Sequence, residues 1–323
     1  VPALFIYGIG GLICGFAALF LRNPYPVLLT GRVIQGMGAG GTYQLAMALT
    51  GDIFQSEERT KALGLLEASN GLGKVVSPIL GSLIALISWY APFFAYGTLA
   101  FPIALGVWFL VKEKPRDEAK ESFQDYWNKL KEVFAEKAKL LLASYFVGMV
   151  ALFLLFGVLS YVSDILESEY SLFGLVKGFV LAVPVFSMAV TSYISGALLS
   201  NHKKIWKPVI IGGMIGCGIT LALLSLFSSL IPFMAVLFFL GISIGILLPP
   251  INALITGATS QDRRGTITCL YGTVRFFGVA IGPPTFGLAA AYGKWIMFLG
   301  AAAIAGCAAV IGSIFITPQK DNE

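Results

Sequence analysis

Residues 67–82 read Glu67-Ala68-Ser69-Asn70-Gly71-Leu72-Gly73-Lys74-Val75-Val76-Ser77-Pro78-Ile79-Leu80-Gly81-Ser82, a run that sets charge, glycine and proline inside an apolar segment. The surrounding stretch, 60–88, is long enough to cross a bilayer, and Glu67 and Lys74 are costly in hydrocarbon. Such charges need a reason, structural or functional. The whole chain points the same way: 57% of its 323 residues are hydrophobic and 12% charged, with a mean hydropathy of +0.84. That is too apolar for a soluble protein of this length and reads as an integral membrane protein.

Apolar segments fall at 2–21, 27–50, 60–88, 91–111, 140–163, 172–199, 206–228, 232–256, 265–290 and 294–317. They predict an all-α bundle of ten spanning helices, joined mostly by short loops. The one long connection, 112–139, is charged. Within it Phe123, Tyr126, Trp127, Leu130, Val133 and Phe134 recur at three-and-four spacing, as in an amphipathic helix lying along a membrane surface. The expected divisions are 1–111 with four spans, the linker 112–139, and 140–323 with six.

Basic residues are unevenly shared between the two sets of loops. Arg22 and Lys294, with Lys177 just inside a span, mark one side. The other carries Arg59, Lys61, the basic residues between Lys112 and Lys139, then Lys203, Lys204, Lys207, Arg263, Arg264 and Lys320. By the positive-inside rule the second side, with the linker and C-terminus, is cytoplasmic in a multi-pass protein of the cell membrane. The acidic loop of Asp164, Glu167 and Glu169 falls on the other side, in agreement.

Several function classes lack their parts. The cysteines at 14, 217, 269 and 307 lie singly without CxxC spacing, and His202 is the one histidine, so no metal site, cofactor or histidine-based catalysis is expected. A net charge of +5 confined to short loops suits lipid headgroups better than nucleic acid. Asn70 to Val75 fails as a phosphate-binding loop, because Ala68 and Val75 stand where Gly and Ser or Thr are needed. No clustered nucleophile and base marks an enzyme.

Shifting the sequence by 205 residues superposes Gly8 on Gly213, Gly11 on Gly216, Gly36 on Gly241, Gly40 on Gly245, Arg59 on Arg264, Gly73 on Gly278 and Pro78 on Pro283. The paired segments cross in the same sense, the mark of parallel repeats in a two-half transporter. Four spans against six, together with an apolar run that begins at Val1 without a signal-peptide pattern, lead to the expectation of a 4+6 remnant of a 6+6 arrangement with two spans ahead of Val1.

Three stretches carry a family resemblance. Gly31-Arg32-Val33-Ile34-Gln35-Gly36-Met37-Gly38-Ala39 resembles the fourth-helix motif of the major facilitator superfamily, and Thr50-Gly51-Asp52 through Glu57-Glu58-Arg59 resembles the loop after it. Gly73 to Ser82 resembles the fifth-helix GxxxGPxxGG motif of drug/proton antiporters, with Ser77 and Ser82 in place of two glycines and Lys74 inserted. Its second copy is Gly278-Val-Ala-Ile-Gly282-Pro283-Pro284. The family's GxLxDRxGRR loop has only a degenerate counterpart at Gly196 to Lys204, lacking the aspartate. The resemblance implies proton-coupled efflux of drugs or small amphipathic molecules by alternating access, in a monomer that needs no cofactor.

Within the spans, Glu67, Asn70 and Lys74 share one helix face, with Glu67 and Lys74 about 10 Å apart along the axis. Glu67 reads either as a titratable carboxylate, since burial favours its neutral form, or as half of a static ion pair. Arg275, opposite Asn70 under the repeat, is a candidate partner across the half-to-half interface. Lys74 and Arg32 are candidates for contacting an anionic group, or for tying helices together. Tyr43, Gln44 and Asn252 are candidate cavity groups or interhelical hydrogen bonds. Gly36, Gly40, Gly73, Ser77, Gly81, Gly278 and Gly282 are expected to allow close helix approach, and Pro78 and Pro283 to bend their helices. Asp52 and Arg59 mark a cytoplasmic loop. A nutrient or organic-anion symporter or facilitator, and a non-transporting membrane scaffold, remain alternatives.

Overall fold

The computed structural model describes residues 1–54, 56–111, 123–199, 203–258 and 261–317. Among them are ten α-helices: α1 (Pro2–Phe20), α2 (Tyr25–Ile53), α3 (Ser56–Ala85), α4 (Ala91–Leu110), α5 (Phe123–Ser168), α6 (Gly174–Leu199), α7 (Trp206–Leu226), α8 (Leu230–Gly257), α9 (Gln261–Ala290) and α10 (Lys294–Phe315). Eight are long and apolar enough to cross a membrane; α2 and α3 do not reach the same hydropathy. The reason is visible in their composition, glycine-rich in α2 and polar in α3. Large apolar side chains such as Ile87, Leu110 and Ile231 lie on the outside of the bundle, where lipid would cover them.

Local chemistry sets the ends. Proline occupies the first turn of α1, α2 and α4, where its missing N–H costs nothing. Gly293, which precedes α10, has φ 109°, a conformation that a side chain would strain.

The 205-residue shift is written into these boundaries. Moved by that amount, α3 lands on α9 end for end, and α1, α2 and α4 land on α7, α8 and α10 with ends agreeing to within two residues. Packing repeats as well: α1 lies against α2 and α4, as α7 lies against α8 and α10. In the second set, α5 packs on α9 and α10 and α6 on α8. The α3–α6 and α2–α9 contacts join the two sets. Most of the fully buried apolar core belongs to α5 and α7–α10.

Equivalent glycines have different surroundings. A Cβ on Gly245 would sit 2.5 Å from the Met188 carbonyl oxygen, one on Gly278 would sit 2.9 Å from Met149 Cγ, and one on Gly282 would sit 2.7 Å from the Phe153 carbonyl oxygen. Gly241 is pressed equally hard against Pro184 and Ser187. Their counterparts Gly36, Gly40 and Gly73 face open space among the described residues, so the close approach expected of them is not made here. Position 77, opposite Gly282, is a serine that donates to the Tyr96 hydroxyl at 3.3 Å, while Tyr96 donates to the Ser77 carbonyl at 2.7 Å. The same hydroxyl lies 3.4 Å from a Cβ on Gly81, so α4 covers this face of α3. Pro78 lies within α3, and its carbonyl faces Gly178 of α6.

The described part of the long connection is helical. Helix begins at Phe123 and runs directly into the span, with one non-helical residue, Lys137 (φ −125°, ψ 17°). The kink is held on both sides. Lys137 Nζ donates to the Ala258 carbonyl at 2.7 Å, satisfying the end of α8, and the Phe134 ring packs 6.5 Å from that of Tyr145. The side chains at 123, 126, 127, 130 and 133 lie outside the described residues. At the opposite end, Lys294 donates to the Phe227 carbonyl and sits 5.2 Å above the Phe233 ring, fastening α10 to α7 and α8.

Arg264, buried at the start of α9, donates from Nε to the Thr256 carbonyl at 2.9 Å and so caps α8 a second time. Arg264→Met keeps the aliphatic stem and removes this charge-assisted bond. It is expected to lower stability by about 1–3 kcal/mol, read as a lower melting temperature in detergent. An unchanged melting temperature would show that the cap contributes nothing.

Candidate functional site

The α2–α9 crossing brings polar groups into the middle of the bundle. Gln44 on α2 is 2% exposed and lies against Gly272 of α9, where a Cβ would come within 2.6 Å of Gln44 Cγ. Both polar atoms of its amide are buried without a hydrogen-bond partner among the described residues. A desolvated amide in that state costs on the order of 1–3 kcal/mol. Gly272 stands 205 residues after Glu67, so the repeat sets a carboxylate in one half against a glycine that receives Gln44 in the other.

Beside this crossing, Tyr271 is fully buried and its ring centroid lies 5.5 Å from that of Tyr145, which donates to the Ile267 carbonyl at 2.7 Å. The Arg275 guanidinium, 3% exposed, sits 5.8 Å from the Tyr271 ring. Gly148 of α5 makes room for the Tyr271 hydroxyl, which a Cβ there would meet at 2.5 Å. The hydroxyls of Ser144 on α5 and Thr268 on α9 are buried without a partner among the described residues. Asn252 of α8 is buried, and Tyr43 is half-buried with its hydroxyl inside. The result is a polar seam in the α5–α9 packing and at the α2–α9 contact. Tyr145, Tyr271, Ser144 and Thr268 were not singled out from sequence, because isolated hydroxyls in an apolar run carry no spacing signal.

Arg32 belongs to a separate cluster. Its Nη1 donates to Gln35 Oε1 at 2.9 Å, and its guanidinium lies 4.7 Å from the Phe93 ring centroid on α4. Gln35 is buried against α1, and a Cβ on Gly11 would lie 3.2 Å from its Nε2. Arg32 itself remains exposed, held by a side-chain amide and a ring. The i, i+3 spacing could have flagged Gln35 as its partner.

On α3, Asn70 and Lys74 are half-buried. The side chains of Glu67, Asp52 and Arg59 lie outside the described residues. α3 packs principally on α6, with Gly71 against Ala189. α9 packs on α5 and α2, so Arg275 and Glu67 sit on helices that share no extensive contact.

A family model described as the Major Facilitator Superfamily matches residues 1–283 and, in a second overlapping alignment, 207–322. The Bacillibactin exporter of Bacillus subtilis (strain 168) is 36% identical over 303 residues, covering 93% of this chain and 75% of that protein. The Tetracycline resistance protein, class E, of Escherichia coli is 25% identical over 300 residues, 88% of this chain and 70% of that protein. Among solved structures, the human organic anion transporter MFSD10 (TETRAN) shares the fold with a TM-score of 0.72 at 18% identity, covering 96% of this chain and 80% of that one.

Proposed function

The chain belongs to the major facilitator superfamily, a family of membrane transporters and not of enzymes, and from that premise we propose that it exports small amphipathic molecules, drugs among them, in exchange for protons. The observation that carries the pathway is the buried polar seam that holds Gln44, Ser144 and Thr268. In an apolar bundle, partnerless amide and hydroxyl groups are expensive unless another conformation exposes them to water or substrate. Relatives named as an exporter and as a drug-resistance protein support the outward direction.

In this reading all ten helices span the cell membrane, α2 and α3 included, because glycine and polar residues facing a central path lower hydropathy without preventing insertion. The divisions 1–111, 112–139 and 140–323 move as two helical bodies and a linker, with the basic loops, linker and C-terminus cytoplasmic and the protein working as a monomer. Glu67 carries the proton and Arg32 assists it. Asn70, Lys74, Tyr43, Gln44, Asn252 and Arg275 contact or orient the transported molecule. Ser77, Pro78, Gly81, Gly278, Gly282 and Pro283 govern how the helices slide, and Asp52 and Arg59 shape the loop between α2 and α3.

The test is transport by the purified chain in proteoliposomes. An imposed pH gradient should accelerate ethidium movement at least several-fold over protein-free liposomes, and a protonophore should abolish the difference. Equal rates in the two preparations would sink the proposal.

A further inference from the structure

Gln44 combines two observations. Its amide is buried with neither polar atom satisfied, and the residue that covers it is a glycine whose missing side chain is what allows the cover. A Cβ at Gly272 would collide with Gln44 Cγ at 2.6 Å as well as with the amide beyond it, so rotating the amide alone would not relieve the clash. Gln44 leaves both a donor and an acceptor unsatisfied, so it gains when the helices part.

We infer that Gln44 is a specificity-determining contact for the transported molecule, closed off by Gly272 in this conformation and uncovered when α9 moves away from α2. This rests on the transport reading and adds to it a chemical preference. A primary amide offers a donor and an acceptor side by side, so it selects molecules that present a complementary pair, such as a carboxamide or a hydroxyl beside a carbonyl. Molecules without hydrogen-bonding groups gain nothing from it. The desolvated amide also raises the free energy of the closed state, which favours opening.

Two measurements test it, neither of which depends on proton-coupled transport. The first replaces the four cysteines with alanine and introduces Gln44→Cys. The new thiol should react slowly with N-ethylmaleimide, and adding Gly272→Leu should speed the reaction about tenfold. Gly272→Ala serves if the leucine variant does not fold. A Gln44→Cys, Gly272→Cys pair should cross-link under mild oxidation. Unchanged maleimide reactivity in a folded Gly272 variant, or no cross-link, overturns the cover.

The second measurement compares binding of tetracycline, which carries a carboxamide and several hydroxyls, with binding of tetraphenylphosphonium, which carries neither, by quenching of tryptophan fluorescence. Gln44→Leu should weaken tetracycline about tenfold and tetraphenylphosphonium less than twofold. Equal losses for both, no loss for either, or binding of neither probe by the parent chain overturns the contact. If the thiol and probe results hold while proteoliposomes show no pH-driven movement, the failure belongs to the transport proposal and not to this site.

Discussion

Gly245→Ala is expected to cut the recovery of folded protein several-fold, while Gly40→Ala, at the equivalent position 205 residues earlier, is expected to leave it unchanged or slightly improved. A methyl group on Gly245 would meet the Met188 carbonyl oxygen at 2.5 Å and Thr191 Cβ at 2.9 Å. A helix backbone cannot give way as the tip of a side chain can, so α6 and α8 must separate along their whole contact. Overpacking of this kind costs about 1–3 kcal/mol when neighbours can adjust, and more when they cannot. Gly40 has nothing within 4 Å of the same added atom, and alanine is favoured over glycine inside a helix by up to about 1 kcal/mol. Thermal unfolding of the two variants in one detergent measures the difference. Equal losses would mean that another part of the folded protein closes on Gly40.

Glu67→Gln is expected to abolish pH-gradient-driven accumulation, a fall of tenfold or more, while leaving the protein folded and able to exchange substrate without a gradient. Position alone sets this carboxylate apart. The other acidic residues lie in the linker, at the chain end, or within five residues of a helix end, whereas Glu67 is eleven residues into α3. In the transport reading, a carboxylate that far along a spanning helix must be paired or protonated, and glutamine keeps its size while removing the choice. Proteoliposomes with the variant, assayed with and without a pH gradient, give the answer. Retained coupling would reduce Glu67 to a structural residue.

Helix placement was largely legible in the sequence, since apolar runs of bilayer length leave few alternatives. The run at 2–21 is α1 to within a residue at each end. A disagreement occurs where polar residues are nonetheless helical: α3 starts at Ser56, ahead of the apolar run at 60. The repeat was legible from seven matched positions, but which member of each glycine pair is pressed against a neighbour was not. That depends on α5 and α6, which lie beside α9 and α8 and have no counterpart beside α3 and α2 among the described residues. The meeting of Gln44 with Gly272 was equally hidden. Neither residue has a local pattern that names the other, and only the α2–α9 crossing brings them together.

The single bent residue in α5 has a mechanical meaning. Hydrogen-bonded helix runs on both sides of Lys137, whose side chain is held at the Ala258 carbonyl, so the bend in α5 is pinned at the end of α8. At 1.5 Å per residue its arms are about 21 Å toward Phe123 and about 46 Å toward Ser168. With arms in that ratio, a tilt that displaces the linker tip by a given distance sweeps the far end of the helix through about twice as much, at half the force.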